Sequence, residues 1–201
     1  MNDMVILISG GGSNMVALAK AAQSRQWSKR YNARIRAVIS NRPQAAGIAK
    51  AQELGLVTQV LDHQDFRSHP QARESFDAAL AAVVKAHQPR WVVLAGFMRV
   101  LTPVFLDAFK GSVINIHPSL LPAFTGLHTH ERAIAAGCRF AGATVHWVNA
   151  ELDAGRIIDQ VVVPILPSDD ANSLANRVLS QEHVLYARAM ERVFKGETSA
   201  L

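Results

Sequence analysis

Val5-Ile6-Leu7-Ile8-Ser9-Gly10-Gly11-Gly12-Ser13-Asn14 is the stretch that decides the fold. A short apolar run stops at three glycines, and residues 14–25 then carry apolar side chains at helical spacing. Strand, glycine turn and helix in that order make the first half of a βαβ unit. Glycines at such a turn let the backbone approach an anion, and the free N–H groups at the helix start point toward it. Ser13 and Asn14 add side-chain donors. Two phosphate loops are excluded. A dinucleotide fingerprint needs glycine where Met15 stands and an acidic residue where Ser40-Asn41-Arg42 occurs. A Walker A loop needs Gly-Lys-Ser/Thr, which is absent. A tight turn without a ligand remains the alternative to phosphate binding.

Working outward, the alternation continues. Residues 34–40 form a second strand, 44–54 a helix closed by Gly55, and 57–61 a third strand. Phe76, Leu80, Val83, Val84 and His87 fall at helical spacing before Pro89 ends the pattern. Residues 91–94 and 113–116 are continuous and β-branched, as parallel strands covered on both faces should be. Residues 143–148 and 157–164 are separated by only 149–156, too short for a crossover helix, so an antiparallel or loop-linked pair is expected. A final helix over residues 171–194 starts at Asp169-Asp170, charges that suit a helix N-terminus. The reading is an α/β protein: a doubly wound, mostly parallel sheet with helices on both faces and antiparallel strands in the C-terminal half. One domain over residues 1–201 is expected, without repeats or linkers.

The 201 residues are 49% hydrophobic and 18% charged, a globular composition long enough to bury a core. No apolar run reaches the roughly 18 residues of a membrane helix, and the first residues do not resemble a secretory signal. The lone Cys138 excludes an internal disulfide and agrees with a reducing compartment, so a cytoplasmic location is expected. The net charge of +5 leans toward an anionic ligand. The one basic cluster, Arg25, Lys29, Arg30, Arg34 and Arg36, lacks interleaved aromatics, so neither nucleic acid nor membrane is expected as a partner.

The chemistry concentrates in Val113-Ile114-Asn115-Ile116-His117-Pro118-Ser119-Leu120-Leu121-Pro122. Residues two apart in a strand share a face, so Asn115 and His117 point the same way, at the C-terminal strand end where open α/β sheets bind ligands. Pro118 forces the chain out of the ladder there. A buried polar pair is expensive unless satisfied or functional. An amide and an imidazolium side by side supply two donors for one developing oxyanion. A nearby carboxylate would favour the charged ring, and Asp153, in a loop with Gly155, is the candidate. A satisfied buried pair and an ordinary turn aspartate are the alternatives. His117, His128, His130 and His146 could be imagined as metal ligands. No His-Glu-x-x-His, cysteine pair or acidic cluster accompanies them, so no metal is expected. Capping or pocket-wall roles suit His128 and His130, while His146 could equally line a site or pack in the core.

These residues resemble the phosphoribosylglycinamide formyltransferases, the GAR transformylases, within the wider folate-dependent formyltransferases. The resemblance runs from Val5 to about Phe194. Its carriers are residues 8–14, Val93-Leu94-Ala95-Gly96-Phe97-Met98-Arg99, residues 115–122, Gly126-Leu127-His128-Thr129-His130 and Leu152-Asp153-Ala154-Gly155. It implies a Rossmann-like formyltransferase fold and transfer of a formyl group from 10-formyltetrahydrofolate to the amine of phosphoribosylglycinamide in purine biosynthesis. Asn115, His117 and Asp153 match the family's catalytic residues, and Gly12, Ser13 and Asn14 match its substrate-phosphate loop. Met98, Arg99, Val100 and Leu101 match the segment lining the pterin pocket, whose other side the loop 151–155 would close. Asn115 also faces the folate, Arg73 matches a folate contact, and Glu182 matches a substrate contact on the last helix.

There are departures. Gly11 replaces an asparagine of some relatives, and Ala123-Phe124-Thr125 lacks a lysine often found there. A methionyl-tRNA formyltransferase would carry a further C-terminal domain and a formyltetrahydrofolate hydrolase an N-terminal one, and neither matches the phosphate loop as well. A non-catalytic phosphate-binding module is the alternative outside enzymes. Monomer and homodimer are both compatible with the sequence.

Overall fold

The computed structural model describes residues 1–198. Its elements are β1 (Met4–Ile8), α1 (Ser13–Ser24), α2 (Trp27–Tyr31), β2 (Ile35–Ser40), α3 (Ala46–Glu53), β3 (Thr58–Val60) and, after a 3-10 turn at His63–Phe66, α4 (Ala72–Ala86). There follow β4 (Trp91–Leu94), α5 (Pro103–Ala108), β5 (Val113–His117), α6 (Thr129–Ala135), β6 (Phe140–Trp147), β7 (Ile157–Pro164) and α7 (Ala171–Lys195). Hydrogen bonding orders the strands β3-β2-β1-β4-β5-β6-β7 in one seven-stranded sheet. The chain divides into two compact units, Met1–Ile114 and Asn115 onward.

In the first unit β1 pairs in parallel with both β2 and β4, and β2 in parallel with β3. All five residues of β1 are buried, which is why its sequence shows no alternation. The chain moves from β1 outward to β3, then returns to the other side of β1 as β4. Right-handed crossovers put α1 and α3 on one face and α4 on the other, and α1 does pack with α3 while α4 packs with α5. The reversal leaves a topological switch point at the C-terminal ends of β1 and β4, where ligands of such sheets bind.

In the second unit β6 and β7 are antiparallel, as the short 149–156 connection required. The pairing slips by one residue, with Val145 opposite Asp159 but His146 opposite Ile157. α7 packs along β6 and β7 and buries Leu174, Val178, Leu185, Tyr186, Ala189 and Val193. Asp170 caps it by accepting from Ser173 N at 2.7 Å, while Ser173 Oγ accepts from Asp170 N at 3.0 Å. Among the described residues no helix is long and apolar enough to cross a membrane.

The sheet, its parallel first half, the antiparallel pair and the flanking helices agree with the sequence reading. β6 begins at Phe140, three residues before the expected start at Ala143, and α2 and α5 were not anticipated. Both are short helices of five and six residues, too brief to show a period.

Candidate active site

Two groups of residues are assembled, one in each unit. In the first, Ser9 ties the ends of three strands together. Its N–H donates to Gly96 O at 3.0 Å, its hydroxyl donates to Asn41 Oδ1 at 2.6 Å, and the hydroxyl oxygen accepts from Met98 N at 2.8 Å. The glycine loop after β1 and the segment after β4 are thereby held side by side. Gly12 takes a left-handed φ of 69° immediately before α1, whose first residues are Ser13 and Asn14.

The loop leans on α3. Gly47 N donates to Gly10 O at 2.9 Å, and Lys50 Nζ donates to Gly11 O at the same distance. A methyl group on Gly47 would lie 2.7 Å from Ile8 Cδ1 and 2.9 Å from Gly10 O. Gly47→Ala should therefore destabilise the protein by about 1–3 kcal/mol, the ordinary cost of overpacking. Urea unfolding measures it, and an unchanged midpoint would show that the loop yields freely.

The segment after β4 presents Met98 and Val100 as exposed apolar side chains, with Leu101 buried. Arg73 Nη2 donates to Val100 O at 3.2 Å, and the Arg99 guanidinium lies 4.5 Å from the centre of the Phe76 ring. The buried Asp77 carboxylate accepts from Thr102 N at 2.5 Å and so anchors the far end of the segment. Burial pushes that carboxyl above its usual range, against the Thr102 amide and the charges of Arg99 and Arg73. Arg73 and Met98–Leu101, separate in sequence, are thus one cluster.

The second group is centred on β5. His117 Nδ1 lies 3.4 Å from Asp153 Oδ2, with both side chains buried. His117 Nε2 lies 3.0 Å from the Phe124 carbonyl oxygen. Both ring nitrogens face acceptors, an arrangement that an imidazole carrying two protons satisfies fully. Gly126 N donates to the same Asp153 oxygen at 2.9 Å, fixing the carboxylate from a second direction. Asp153 itself holds a positive φ of 53° and Phe124 one of 56°, conformations uncommon outside glycine.

Asn115 Nδ2 lies 3.3 Å from His146 Nε2 on β6. His146 Nδ1 is 3.0 Å from the Trp147 carbonyl, so that nitrogen carries the proton and Nε2 accepts. Burial holds the ring below the ordinary histidine value; the Trp147 carbonyl and Asp153 act against this and His117 reinforces it. Asp153 Oδ1 is 3.8 Å from His146 Nε2, so Asn115, His117, His146 and Asp153 form one cluster. Behind it, Thr144 Oγ1 donates to Ser119 O at 2.7 Å and accepts from Leu121 N at 3.0 Å, pinning the chain as it leaves β5.

Of the other histidines, His128 is exposed and pairs with Glu131 at 3.1 Å, and although it precedes α6 its side chain makes no cap hydrogen bond. His130 is held below its ordinary value by burial, with Glu131 opposing and His117 reinforcing. Glu182 is buried on α7, one turn before the fully buried Tyr186. Among the described residues no three His, Cys, Asp or Glu side chains are grouped as a metal site.

Residues 2–190 match the formyl transferase family model. The chain belongs to the formyl transferase family. This formyl transferase is 40% identical to phosphoribosylglycinamide formyltransferase of Escherichia coli K12 over 184 residues, 92% of this chain and 83% of the relative. It is 42% identical over 193 residues to the trifunctional purine biosynthetic protein adenosine-3 of Drosophila melanogaster, covering 96% of this chain but 14% of that larger protein. Among solved structures, glycinamide ribonucleotide transformylase 1 from Symbiobacterium toebii superposes with a TM-score of 0.90 at 38% identity, over 98% of this chain and 89% of that one. Phosphoribosylglycinamide formyltransferase from Brucella melitensis gives 0.87 at 44% identity, over 100% and 97%.

Three histidines of this formyl transferase carry a pH dependence. His130, His146 and His183 are all held below the ordinary value, burial being the largest cause in each. The unfolded chain takes up these protons near pH 6.5, before the folded one does. Stability should therefore fall as the pH drops from about 7.5 to about 5.5. Asp77, displaced upward, acts in the opposite sense, so the contribution is best isolated by comparison with His183→Gln. The fall in urea midpoint should be smaller in that variant; an equal or larger fall would contradict the assignment.

Proposed function

We propose that the chain transfers the formyl group of 10-formyltetrahydrofolate to the amine of 5-phosphoribosylglycinamide, yielding the formylated ribonucleotide and tetrahydrofolate, in cytoplasmic purine biosynthesis. The observation that carries this reading is His117, with acceptors at both ring nitrogens and the Asp153 carboxylate at 3.4 Å, two residues along β5 from the amide of Asn115. Two donors and a carboxylate suit acyl transfer through an oxyanion. The likeness to relatives that bear the name phosphoribosylglycinamide formyltransferase supports the choice of substrates.

Asn115 and the protonated His117 donate to the formyl oxygen as negative charge builds on it, the Nε2–H of His117 exchanging the Phe124 carbonyl for that oxygen. The amine nitrogen forms its bond to the formyl carbon, and the bond from that carbon to the folate nitrogen then breaks. One proton leaves the amine and one reaches the departing folate nitrogen, with Asp153 and water carrying it. Hydrogen bonds handle every charge in this sequence, so it uses no metal. Gly12, Ser13 and Asn14 take the ribonucleotide phosphate at the start of α1, and Glu182 contacts the substrate. The folate is a substrate consumed at each turnover. Met98 and Val100 offer its ring apolar surface, the backbone of Arg99 and Leu101 offers polar groups, and Arg73 offers a cation.

The direct test is mass spectrometry of the ribonucleotide after incubation with the protein and 10-formyltetrahydrofolate. A product heavier by one formyl group is expected; an unchanged ribonucleotide rejects the reading.

A further inference from the structure

His146 enters the family's catalytic trio nowhere, yet the fold treats it with unusual care. Its side chain is buried, and a lone imidazole in a core must satisfy two nitrogens or forfeit hydrogen bonds. The Trp147 carbonyl lies 3.0 Å from Nδ1, in the residue's own neighbour, and fixes that nitrogen as the protonated one. Two features lie at that carbonyl. The register slip opposite Val145 and His146 passes over Ile158 of β7, a bulge that alters the pairing at the end of β6. Gly155 also packs its backbone against the same carbonyl, where a methyl group would overlap the oxygen. With Nδ1 protonated, Nε2 is an acceptor, and the group facing it at 3.3 Å is the Asn115 amide. A neutral ring in this tautomer can only receive an N–H, so it decides which end of the Asn115 amide turns toward it.

We propose that His146 is a positioning residue for the transfer: its Nε2 holds the Asn115 amide with the nitrogen inward, leaving the second hydrogen of that nitrogen for the reacting oxygen. The proposal rests on the formyl-transfer reading. Without Nε2 as acceptor, Asn115 can rotate and present its own carbonyl, which repels the oxyanion. The titratable groups that face the ring are Asp153, at 3.8 Å from Nε2, and His117. Asp153 favours a protonated ring and His117 opposes it; burial keeps it neutral, the form the role requires.

A double-mutant cycle separates positioning from general support of the core. With Asn115 present, His146→Leu should lower kcat by about 10- to 100-fold, the loss expected for one buried hydrogen bond, with little change in either KM. His146→Gln, whose side-chain carbonyl can accept in place of Nε2, should recover most of that loss. On an Asn115→Ala background His146→Leu should lower kcat by less than about twofold, because its target is gone. Nitrogen NMR of the wild type, which needs no variant to fold, should find His146 protonated at Nδ1 and bare at Nε2 at neutral pH. Equal losses in the two Asn115 backgrounds, no recovery by glutamine, or a protonated Nε2 would each overturn the proposal. A wild type that transfers no formyl group overturns the underlying reading as well, which the transfer assay reveals before any variant is made.

Discussion

Asn115→Ala should lower turnover by about 10²–10³-fold, the range measured when one oxyanion donor is removed from an acyl-transfer site. The amide stands on β5, its nitrogen 3.3 Å from His146 Nε2, and one N–H remains to donate as the formyl oxygen becomes an anion. That interaction strengthens only as charge develops, so the loss should appear in kcat and kcat/KM together, with KM for both substrates nearly constant. Asn115→Asp keeps the shape and replaces the donor by a charge of the wrong sign, so it should be at least as damaging. Steady-state kinetics of the two variants decide the matter. A near-normal kcat for Asn115→Ala would remove the residue from the mechanism.

His117→Ala should be as harmful or worse, again at least about 10²-fold in kcat, because it removes both a donor and the partner of a buried carboxylate. Asp153 would keep only the Gly126 N–H at 2.9 Å among the contacts described above, and His146 at 3.8 Å offers it a bare nitrogen. The same reasoning makes Asp153→Asn informative, since it preserves shape and removes charge. Its rate should fall and its pH–rate profile should change with it, because the negative charge that faces His117 Nδ1 at 3.4 Å is gone. Unaltered rate and profile in Asp153→Asn would break the proposed coupling while leaving the oxyanion role intact. Combining Asn115→Ala with His117→Ala should cost less than the product of the single losses, since both serve one oxygen.

Much of this arrangement is legible in the sequence because it is written in local pattern. The apolar run before Gly10 announces a buried parallel strand, and the spacing of Asn115 and His117 before Pro118 places two polar groups on one face at a strand end. The nine residues between the last two strands exclude a crossover helix, and the pair is antiparallel. What was not legible depends on contacts between distant segments. Gly47 reads as one more residue of a helix, and only its approach to Gly10 and Ile8 shows that it carries the glycine loop. Ser9 reads as the end of a strand, although its hydroxyl joins Asn41 and Met98. Asp77 looks like a surface charge on an amphipathic helix, yet it is buried and anchors Thr102. His146 alternates with apolar neighbours as any core residue would. Its function-bearing partner lies 31 positions away, and the register slip beside it has no signature in β6 itself.

The most direct test of the central claim follows the absorbance of 10-formyltetrahydrofolate with the purified protein, with and without 5-phosphoribosylglycinamide, in parallel for wild type and Asn115→Ala. Folate conversion should require the ribonucleotide and collapse in the variant. Conversion without the ribonucleotide would make the protein a hydrolase, and no conversion under either condition would contradict formyl transfer altogether.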